Sequence, residues 1–220
     1  MSTKQTIAII GATGNMGSAI ARSLSKTNNR LLLFARHFDK VQTLAAEIKK
    51  GNAAADAEAI ECPTNASWEA DLIILALPYA EEKEIAAKIK DVANQKIVIS
   101  ISNPLNETYS GLVTSPDTSA GEQLQQLLSN SKVVKAFNTV FAADFANTII
   151  DGKQVDTLIA GNDAQALEVV SDLATTIGLN PLVAGELTWS RTLENMALLL
   201  IQLTMKYNYN WVAGWKVLHN

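Results

Sequence analysis

The chain has few of the residues that make covalent cross-links or metal sites. It contains one cysteine, Cys62, so an internal disulfide is excluded. Its two histidines, His37 and His219, have no cysteine or second histidine at metal-ligand spacing, which argues against a zinc site. No Gly-x-Ser-x-Gly sequence is present and His219 is the penultimate residue, so the sequence does not support a hydrolase triad either.

Long apolar runs and an excess of basic charge are also missing. The longest apolar stretch, Met196–Met205, is about half a membrane span and contains Gln202 and Thr204. The net charge is −4 and no basic run occurs, so nothing favours nucleic acid binding. The chain starts without a signal-peptide pattern. We therefore expect a cytoplasmic protein that binds neither membranes nor nucleic acids.

A glycine-rich turn near the start is the most informative feature that is present. The residues Gly11-Ala-Thr-Gly-Asn-Met-Gly17 follow the apolar run Ile7–Ile10 and precede a helical pattern. Gly11 allows a tight turn, Gly14 leaves room for a pyrophosphate, and Gly17 lets the helix pack close to the strand. The N–H groups at the helix start would face the phosphates. This context predicts a nucleotide site, and the alternative is a tight turn without a ligand.

Apolar runs of strand length alternate with helical patterns along the chain. Most runs are apolar continuously, which is typical of strands covered by helices on both faces. The runs are Ile7–Ile10, Leu31–Phe34, Leu72–Leu77, Ile97–Ile101, Val133–Phe137 and Thr157–Gly161, with a weaker candidate at 53–60. The helical patterns are at 15–27, 39–50, 79–92, 119–130 and 163–177. The alternation predicts an α/β fold with a doubly wound parallel sheet.

The last third of the chain has a different pattern. Residues 155–185 resemble one more strand–helix–strand unit, which ends at Asn180–Val183. Residues 187–208 resemble a helix that is apolar nearly all round at Met196–Leu203. Such a helix is buried either in its own fold or against a second subunit, and the pattern leaves both open.

Cations follow the second predicted strand where NAD-preferring sites usually have a carboxylate for the ribose 2′-OH. That strand is followed by Ala35, Arg36 and His37, and Arg36 lies about 20 residues beyond the glycine turn, where such sites read the ribose. Lys40 comes one helical turn later and can point the same way. An arginine fork and a lysine charge fit a 2′-phosphate, so the pattern favours NADP over NAD. The alternative is two solvated loop charges.

The remaining cleft residues follow from topology, because ligands of open α/β sheets bind outside the carboxyl ends of the strands. At those ends stand Leu77, Pro78, Tyr79, Asn103, Asn138 and Thr139. The two asparagines either contact a carboxamide or a flavin-type ring edge, or only form turns. No general acid or base is evident among these residues. Hydride transfer to a flavin-like ring fits this set better than reduction of a ketone or imine, which needs a proton donor.

Tyr79 and Lys83 have the Tyr-x-x-x-Lys spacing of short-chain dehydrogenases. In that family the pair lies on a helix after the fifth strand, whereas here it follows the fourth. We expect Tyr79 to line the cofactor cleft and Lys83 to be solvated rather than catalytic.

Together these features resemble the NADPH-dependent deazaflavin (coenzyme F420) oxidoreductase family. The resembling segments run in order over nearly the whole chain. They are Ile9–Gly17, Ala35–Arg36 with Lys40, Leu75–Tyr79, Lys96–Ile99, Ser102–Leu105, Lys132–Thr139, Ala160–Asp163, Ala184–Leu187 and Gly214–Leu218. The NADPH-binding domain of the membrane ferric reductases called STEAP is similar as well.

The resemblance implies an NADP-binding Rossmann domain at 1–154 and a small C-terminal part at 155–220 that covers the acceptor. It implies a homodimer, which we expect to form through the C-terminal helix. The cofactor contacts that we infer, several of them from the family, are Gly11, Thr13, Gly14, Asn15 and Met16 at the pyrophosphate, Arg36 and Lys40 at the 2′-phosphate, and Leu77, Pro78, Asn103 and Ala142 toward the nicotinamide. Ala35 stands where the family commonly has serine, so one 2′-phosphate hydrogen bond is missing.

We therefore predict an oxidoreductase that transfers hydride between NADP(H) and a flavin or deazaflavin stacked on the nicotinamide. The acceptor candidates are coenzyme F420, FMN and FAD, and no catalytic side chain or metal is expected. Tyr79, Asn138 and Thr139 are the predicted acceptor contacts. The alternatives are a non-catalytic NADP(H)-binding redox sensor and a short-chain-type carbonyl reductase.

Overall fold

A computed structural model describes residues 4–219 and shows strands and helices in alternation. The strands are β1 (Thr6–Ile10), β2 (Arg30–Phe34), β3 (Asp56–Ala59), β4 (Leu72–Leu75), β5 (Ile97–Ser100), β6 (Lys132–Lys135), β7 (Ile149–Ile150), β8 (Lys153–Gln154), β9 (Asp156–Gly161) and β10 (Asn180–Gly185). The helices are α1 (Asn15–Leu24), α2 (Phe38–Gly51), α3 (Pro63–Glu69), α4 (Tyr79–Ile89), α5 (Ala120–Leu127), α6 (Ala164–Thr176) and α7 (Ser190–Tyr207). Short 3₁₀ helices occupy Ala142–Phe145 and Leu187–Trp189.

Eight of these strands form one sheet in the order β3-β2-β1-β4-β5-β6-β9-β10. The pairs from β3 to β6 are all parallel. Their order is that of a doubly wound dinucleotide-binding sheet, in which the strand order reverses between β1 and β4. The Rossmann-type α/β fold predicted from the sequence is confirmed.

The sheet continues beyond β6 with a change of direction. β9 pairs antiparallel with β6, and β10 then pairs parallel with β9. The predicted strand–helix–strand unit is present as β9, α6 and β10. Because these strands extend the same sheet, the division of the chain into residues 1–154 and 155–220 stays a prediction.

Alternation of side chains along β1 explains how helices cover both faces of the sheet. Ile7 and Ile9 pack into the cluster that α1, α2 and α6 cover, whereas Ala8 and Ile10 pack into the cluster that α3, α4 and α5 cover. All four residues are fully buried. A buried isoleucine contributes about 1.5–3 kcal/mol to folding, so the continuous apolar runs hold the sheet between its two helical layers.

Two local features differ from the sequence prediction. Helix α3 was not predicted, because seven residues are too few to show a helical period, although Pro63 at its first position is a typical helix start. The runs predicted to end at Leu77, Ile101 and Phe137 leave the sheet earlier, at Leu75, Ser100 and Lys135. The residues that follow these shorter strands form the edge at which ligands bind in such folds.

Helix α7 has one covered and one open face. Leu193, Ala197 and Leu200 are buried, whereas Leu199 and Met205 are about half exposed, at 46% and 56%. The apolar residues on one side of this helix are therefore buried in the chain's own fold, whereas those on the other side are exposed. Within residues 4–219, no helix has the length and apolar character needed to cross a membrane.

Candidate active site

The turn between β1 and α1 has the backbone geometry of a phosphate cradle. Gly11 has φ +92°, and a Cβ there would lie 2.8 Å from the carbonyl carbon of Ala76. A Cβ at Gly17 would lie 2.9 Å from the Cα of Ala12, so the close packing of α1 requires glycine. At Gly14 the nearest atom to a Cβ would be 3.4 Å away, so the fold does not require glycine there. Gly14 instead presents bare backbone beside the first turn of α1, whose N–H groups have no partner within the helix.

Arg36 lines a cleft of about 320 Å³ between the end of β2 and the start of α4. This Arg36 cleft is also lined by Gly11, Thr13, Gly14, Ala35, Leu77 and Pro78. The guanidinium is largely exposed and lies 3.0 Å from Oε1 of Glu81. An exposed ion pair contributes about 0–1 kcal/mol, so a ligand anion can replace the glutamate at little cost.

The second predicted cation lies outside this cleft. Lys40 is exposed in the first turn of α2 and is not among the residues that line the Arg36 cleft, whereas Lys88 of α4 is. Ala35 lines the cleft and has no hydroxyl to donate. The structure thus brings Arg36 to the cleft, while the Lys40 contact stays a prediction.

Tyr79 is held away from the Arg36 cleft by its neighbour on α5. Its hydroxyl donates to Oε1 of Gln123 at 2.6 Å, and Tyr79 does not line the cleft, although Leu77 and Pro78 just before it do. Lys83 is exposed, as expected. The hydroxyl is therefore engaged inside the protein, and the predicted acceptor contact of Tyr79 stays untested.

The two predicted asparagines hold each other at the carboxyl ends of β5 and β6. Asn103 Nδ2 donates to the Asn138 carbonyl, and Asn138 Nδ2 donates to Asn103 Oδ1, both at 2.9 Å. Asn138 Nδ2 also donates to the Leu193 carbonyl of α7 at 3.0 Å. Phe137, just before Asn138, is buried with φ 60°, a strained conformation for a bulky residue. This conformation turns the chain sharply out of β6 so that Asn138 meets Asn103.

A second cavity of about 170 Å³ opens beside this pair. We call it the Asn138 cavity; its polar lining is Asn103, Asn138 and Thr139, and its apolar lining includes Met16, Leu200 and Trp211. Phe141, which also lines it, makes an edge contact with the Trp211 ring at 5.4 Å. None of the described residues that line this cavity has an ionisable side chain.

Asn15 and Ala142 lie together in a different place. Both line an open groove along α1, together with Arg22 and the 3₁₀ helix that starts at Ala142. Ala142 is thus near the start of α1 but does not line the Asn138 cavity. Met16, one residue further along α1, does line it.

The described residues leave a cavity on each side of the glycine turn. The turn lies between the two cavities, because Thr13 and Gly14 line the Arg36 cleft and Met16 lines the Asn138 cavity. Beside the Asn138 cavity, Oδ1 of Asn138 and Oγ1 of Thr139 are buried without a hydrogen-bond partner among residues 4–219. Buried polar atoms without partners are costly, so this part of the cavity wall is not stabilised by its own hydrogen bonds alone.

Titratable groups near the site are buried beside the cavities rather than in them. Burial raises the pKa of Glu82 to about 7, although the charge of Lys135 opposes this shift. Burial likewise raises the pKa of Asp144 to about 6, opposed by the hydrogen bond from the Phe141 N–H. Neither carboxyl lines the Arg36 cleft or the Asn138 cavity.

Comparison with known proteins agrees with this geometry. Residues 6–104 match the sequence profile of the family described as NADP oxidoreductase, coenzyme F420-dependent. The F420-dependent NADP reductase of Methanocaldococcus jannaschii is 36% identical over 213 residues, which cover 91% of this chain and 93% of that protein. The chain belongs to the F420-dependent NADP oxidoreductase family. This membership confirms the family predicted from the sequence and the prediction of an NADP-dependent oxidoreductase.

Of two further similarities, one supports the fold and the other covers only part of the chain. A solved structure from Arthrobacter sp. FB24, proposed to be an F420-dependent NADP reductase, superposes with a TM-score of 0.84 at 22% identity. The superposition covers 98% of this chain and 100% of that chain, so this likeness supports the fold. The metalloreductase STEAP3 of Rattus norvegicus is 29% identical over 129 residues, which are 59% of this chain and 25% of that protein. The predicted similarity to the STEAP reductases is therefore confirmed for part of the chain.

Several residues in or beside the Asn138 cavity were missed by sequence reasoning. Trp211 and Phe141 were missed because they lie in irregular segments with no periodic pattern. Leu200 and Ile201 of α7 were recognised only as apolar. Lys135 did carry a usable signal, since a charged residue inside the apolar run Val133–Phe137 has to find a partner when buried.

Proposed function

We propose that this member of the F420-dependent NADP oxidoreductase family transfers hydride between NADP(H) and a deazaflavin or flavin whose ring stacks on the nicotinamide. The observation that carries the proposal is the Asn138 cavity, which adjoins the phosphate cradle and has amide, hydroxyl and apolar walls without an ionisable side chain. Such walls bind and orient a ring but supply no proton for a carbonyl reduction.

Each part of the chain has a separate task in this proposal. The first turn of α1 holds the pyrophosphate through its backbone N–H groups, and Arg36 binds the 2′-phosphate. Asn103, Asn138 and Thr139, the polar lining of the Asn138 cavity, orient the edge of a ring there. When bound, the nicotinamide supplies or accepts the hydride, and a deazaflavin or flavin ring spreads the resulting charge. The protein therefore contributes proximity and alignment rather than acid–base chemistry.

The acceptor is proposed from the named relatives and from the cavity. The relative from M. jannaschii is named for coenzyme F420, and its similarity extends over 91% of this chain. Leu200, Ile201 and Trp211 form an apolar wall that suits the face of a tricyclic ring. We therefore place F420 first among the acceptors, followed by FMN and FAD.

The deciding experiment is an anaerobic acceptor screen with NADPH as the donor. F420, FMN, FAD and a ferric chelate are tested in parallel, and NADH replaces NADPH as the donor control. We expect NADPH oxidation that is fastest with F420 and at least tenfold slower with NADH. Tight NADPH binding without turnover on any acceptor would contradict the proposal and would favour a redox sensor.

We also propose that α7 joins two copies of the chain. Leu199 is exposed in the middle of its open face, Met205 and Tyr207 are exposed at the two borders of that face, and Trp189 just before the helix is exposed too. Exposed apolar residues grouped on one helix are typical of a subunit interface. This placement keeps the covered face of α7 free to line the Asn138 cavity.

A further inference from the structure

A buried ion cluster joins three elements around the Asn138 cavity. It consists of Lys135 of β6, Glu194 of α7 and Glu82 of α4, of which Lys135 and Glu194 are fully buried and Glu82 is 3% exposed. Lys135 Nζ lies 2.7 Å from Glu194 Oε1. It also donates to the Ser102 carbonyl at 2.6 Å.

Two partners of Lys135, Ser102 and Glu194, are each adjacent in sequence to a residue that lines the Asn138 cavity or bonds to its lining. Ser102 directly precedes Asn103, which lines the cavity. Glu194 directly follows Leu193, whose carbonyl accepts from Asn138. One ammonium group therefore connects the loop after β5 with α7, and these elements form different walls of the same cavity.

Glu194 is held firmly by donors from a further element. Its carboxylate accepts from the N–H groups of Ala120 at 3.1 Å and Gly121 at 3.3 Å, at the start of α5. Together with Lys135, these donors engage both oxygens of the Glu194 carboxylate. The pair thus fixes α7 against both α5 and the sheet.

The cluster contains two carboxyl groups but one ammonium group. Glu82 accepts from the Ser100 hydroxyl at 3.3 Å, and Lys135 Nζ is also 3.3 Å from that hydroxyl. Since Lys135 and Glu194 already balance each other, an ionised Glu82 adds an uncompensated buried charge. It also attracts the ammonium group away from Glu194 and from the Ser102 carbonyl.

We propose that Lys135 is a positioning residue for the acceptor, which fixes the Asn103 loop against α7, and that ionisation of Glu82 weakens this link. The inference rests on the proposed function, because it takes the Asn138 cavity as the acceptor site. Lys135 lies outside the Arg36 cleft and the glycine turn, so the contacts to the 2′-phosphate and the pyrophosphate should not depend on it.

The first test removes the ion pair without leaving a lone charge. The double variant Lys135→Met with Glu194→Gln keeps the side-chain lengths, and Lys132→Met on the same strand is the control. Lys132 pairs with Asp163 at 3.1 Å and is partly exposed. We expect the double variant to raise the acceptor KM at least fivefold and lower kcat, with the NADPH Kd changed less than threefold. The control should change none of these values.

The outcomes separate the inference from the function on which it rests. A folded double variant with wild-type acceptor KM and kcat would overturn the positioning role while leaving the proposed function intact. A parallel loss of NADPH affinity and thermal stability, at unchanged acceptor KM, would show a merely structural role and would also overturn it. If the wild type neither reduces nor binds F420, FMN or FAD, both proposals fail together.

The second test follows pH, because Glu82 is faced by Lys135, Glu194 and the Ser100 hydroxyl. With the pKa of Glu82 at about 7, wild-type kcat/KM for the acceptor should fall as the pH rises through that value. Glu82→Gln cannot ionise and should give a profile that is flat from about pH 6 to 8.5. A fall that persists in Glu82→Gln, or a flat wild-type profile, would overturn the role of Glu82.

Discussion

At the scale of single residues, the site depends on side chains whose polar groups the fold does not fully use. Arg36 has one exposed ion pair, and Asn138 and Thr139 each keep a buried oxygen without a partner. In contrast, the Tyr79 hydroxyl is engaged by Gln123. These differences determine which substitutions should change ligand binding.

Replacing Arg36 with alanine should weaken NADPH binding selectively. The charge-assisted contact to the 2′-phosphate would be lost, so we expect the Kd for NADPH to rise tenfold or more, about 1.4 kcal/mol. Titration followed by cofactor fluorescence measures this, with NADH as the matched ligand that lacks the phosphate. Equal losses for NADPH and NADH would show that Arg36 does not contact the 2′-phosphate.

Replacing Tyr79 with phenylalanine tests the short-chain reductase alternative. Because the hydroxyl donates to Gln123 inside the protein, we expect kcat to stay within about threefold of wild type and the melting temperature to fall slightly. Steady-state kinetics with the best acceptor gives the answer. A loss of activity beyond a hundredfold would instead identify Tyr79 as a proton donor.

At the scale of elements, the glycine turn has to allow close packing of α1 and to leave room for a ligand, and these two requirements can be separated. Gly17 is needed by the fold, because a Cβ there would collide with the backbone of the turn. The packing of the fold does not require glycine at position 14, because a Cβ there would make one ordinary contact at 3.4 Å. Glycine thus has a packing role at one end of the turn, and a binding role is proposed for the one in its middle.

Two alanine substitutions should separate these roles. Gly17→Ala should lower the free energy of unfolding by about 1–3 kcal/mol through overpacking. Gly14→Ala should lower the free energy of unfolding by no more than about 1 kcal/mol, because alanine is a poorer helix N-cap than glycine. It should raise the NADPH Kd at least tenfold, because the methyl group occupies the pyrophosphate position. Gly51→Ala, with nothing within 4 Å of its Cβ, is the control for both measurements. Wild-type NADPH affinity in Gly14→Ala would place the pyrophosphate elsewhere.

At the scale of the whole molecule, the buried charges and the open face of α7 govern stability and assembly. The two carboxyl groups with raised pKa values, Glu82 and Asp144, are protonated more easily in the folded than in the unfolded chain. Each therefore stabilises the fold at low pH, and this contribution is lost as the pH rises through the folded pKa.

Glu82→Gln should remove part of this pH dependence. The pKa of Glu82 rises from 4.5 to about 7 on folding, so the wild type loses stability between those values. We expect the variant to gain about 2 kcal/mol relative to wild type between pH 5 and pH 8. Urea denaturation at the two pH values measures the difference. A constant offset between the two proteins would mean that Glu82 titrates normally in the fold.

The proposed dimer can be tested on the open face of α7. Leu199→Glu combined with Met205→Glu places charge on two exposed apolar positions and should convert a dimer into monomers. Sedimentation velocity at several concentrations measures the mass. Gln42→Glu, at an exposed polar position of α2 and away from α7, is the control. A monomeric wild type would rule out the α7 dimer.

The sequence by itself determined most of the order of strands and helices, though not α3, β7 or β8, together with the glycine turn and the place of Arg36. These depend on local rules, because apolar runs, glycine spacing and distance along the chain can be read without knowing any contact. Because the carboxyl ends of parallel strands meet at one edge of the sheet, Asn103 and Asn138 could also be placed near each other.

Only the tertiary structure decided which of these residues point into a cavity and which bond to one another. Tyr79 meets Gln123 from 44 positions away, and Lys135 meets Glu194 across β6 and α7, pairings that no local pattern encodes. Trp211 reaches the Asn138 cavity through an irregular segment after α7. Side-chain partners are chosen by packing between distant elements, so the acceptor side depends on tertiary contacts, whereas the phosphate cradle is encoded locally.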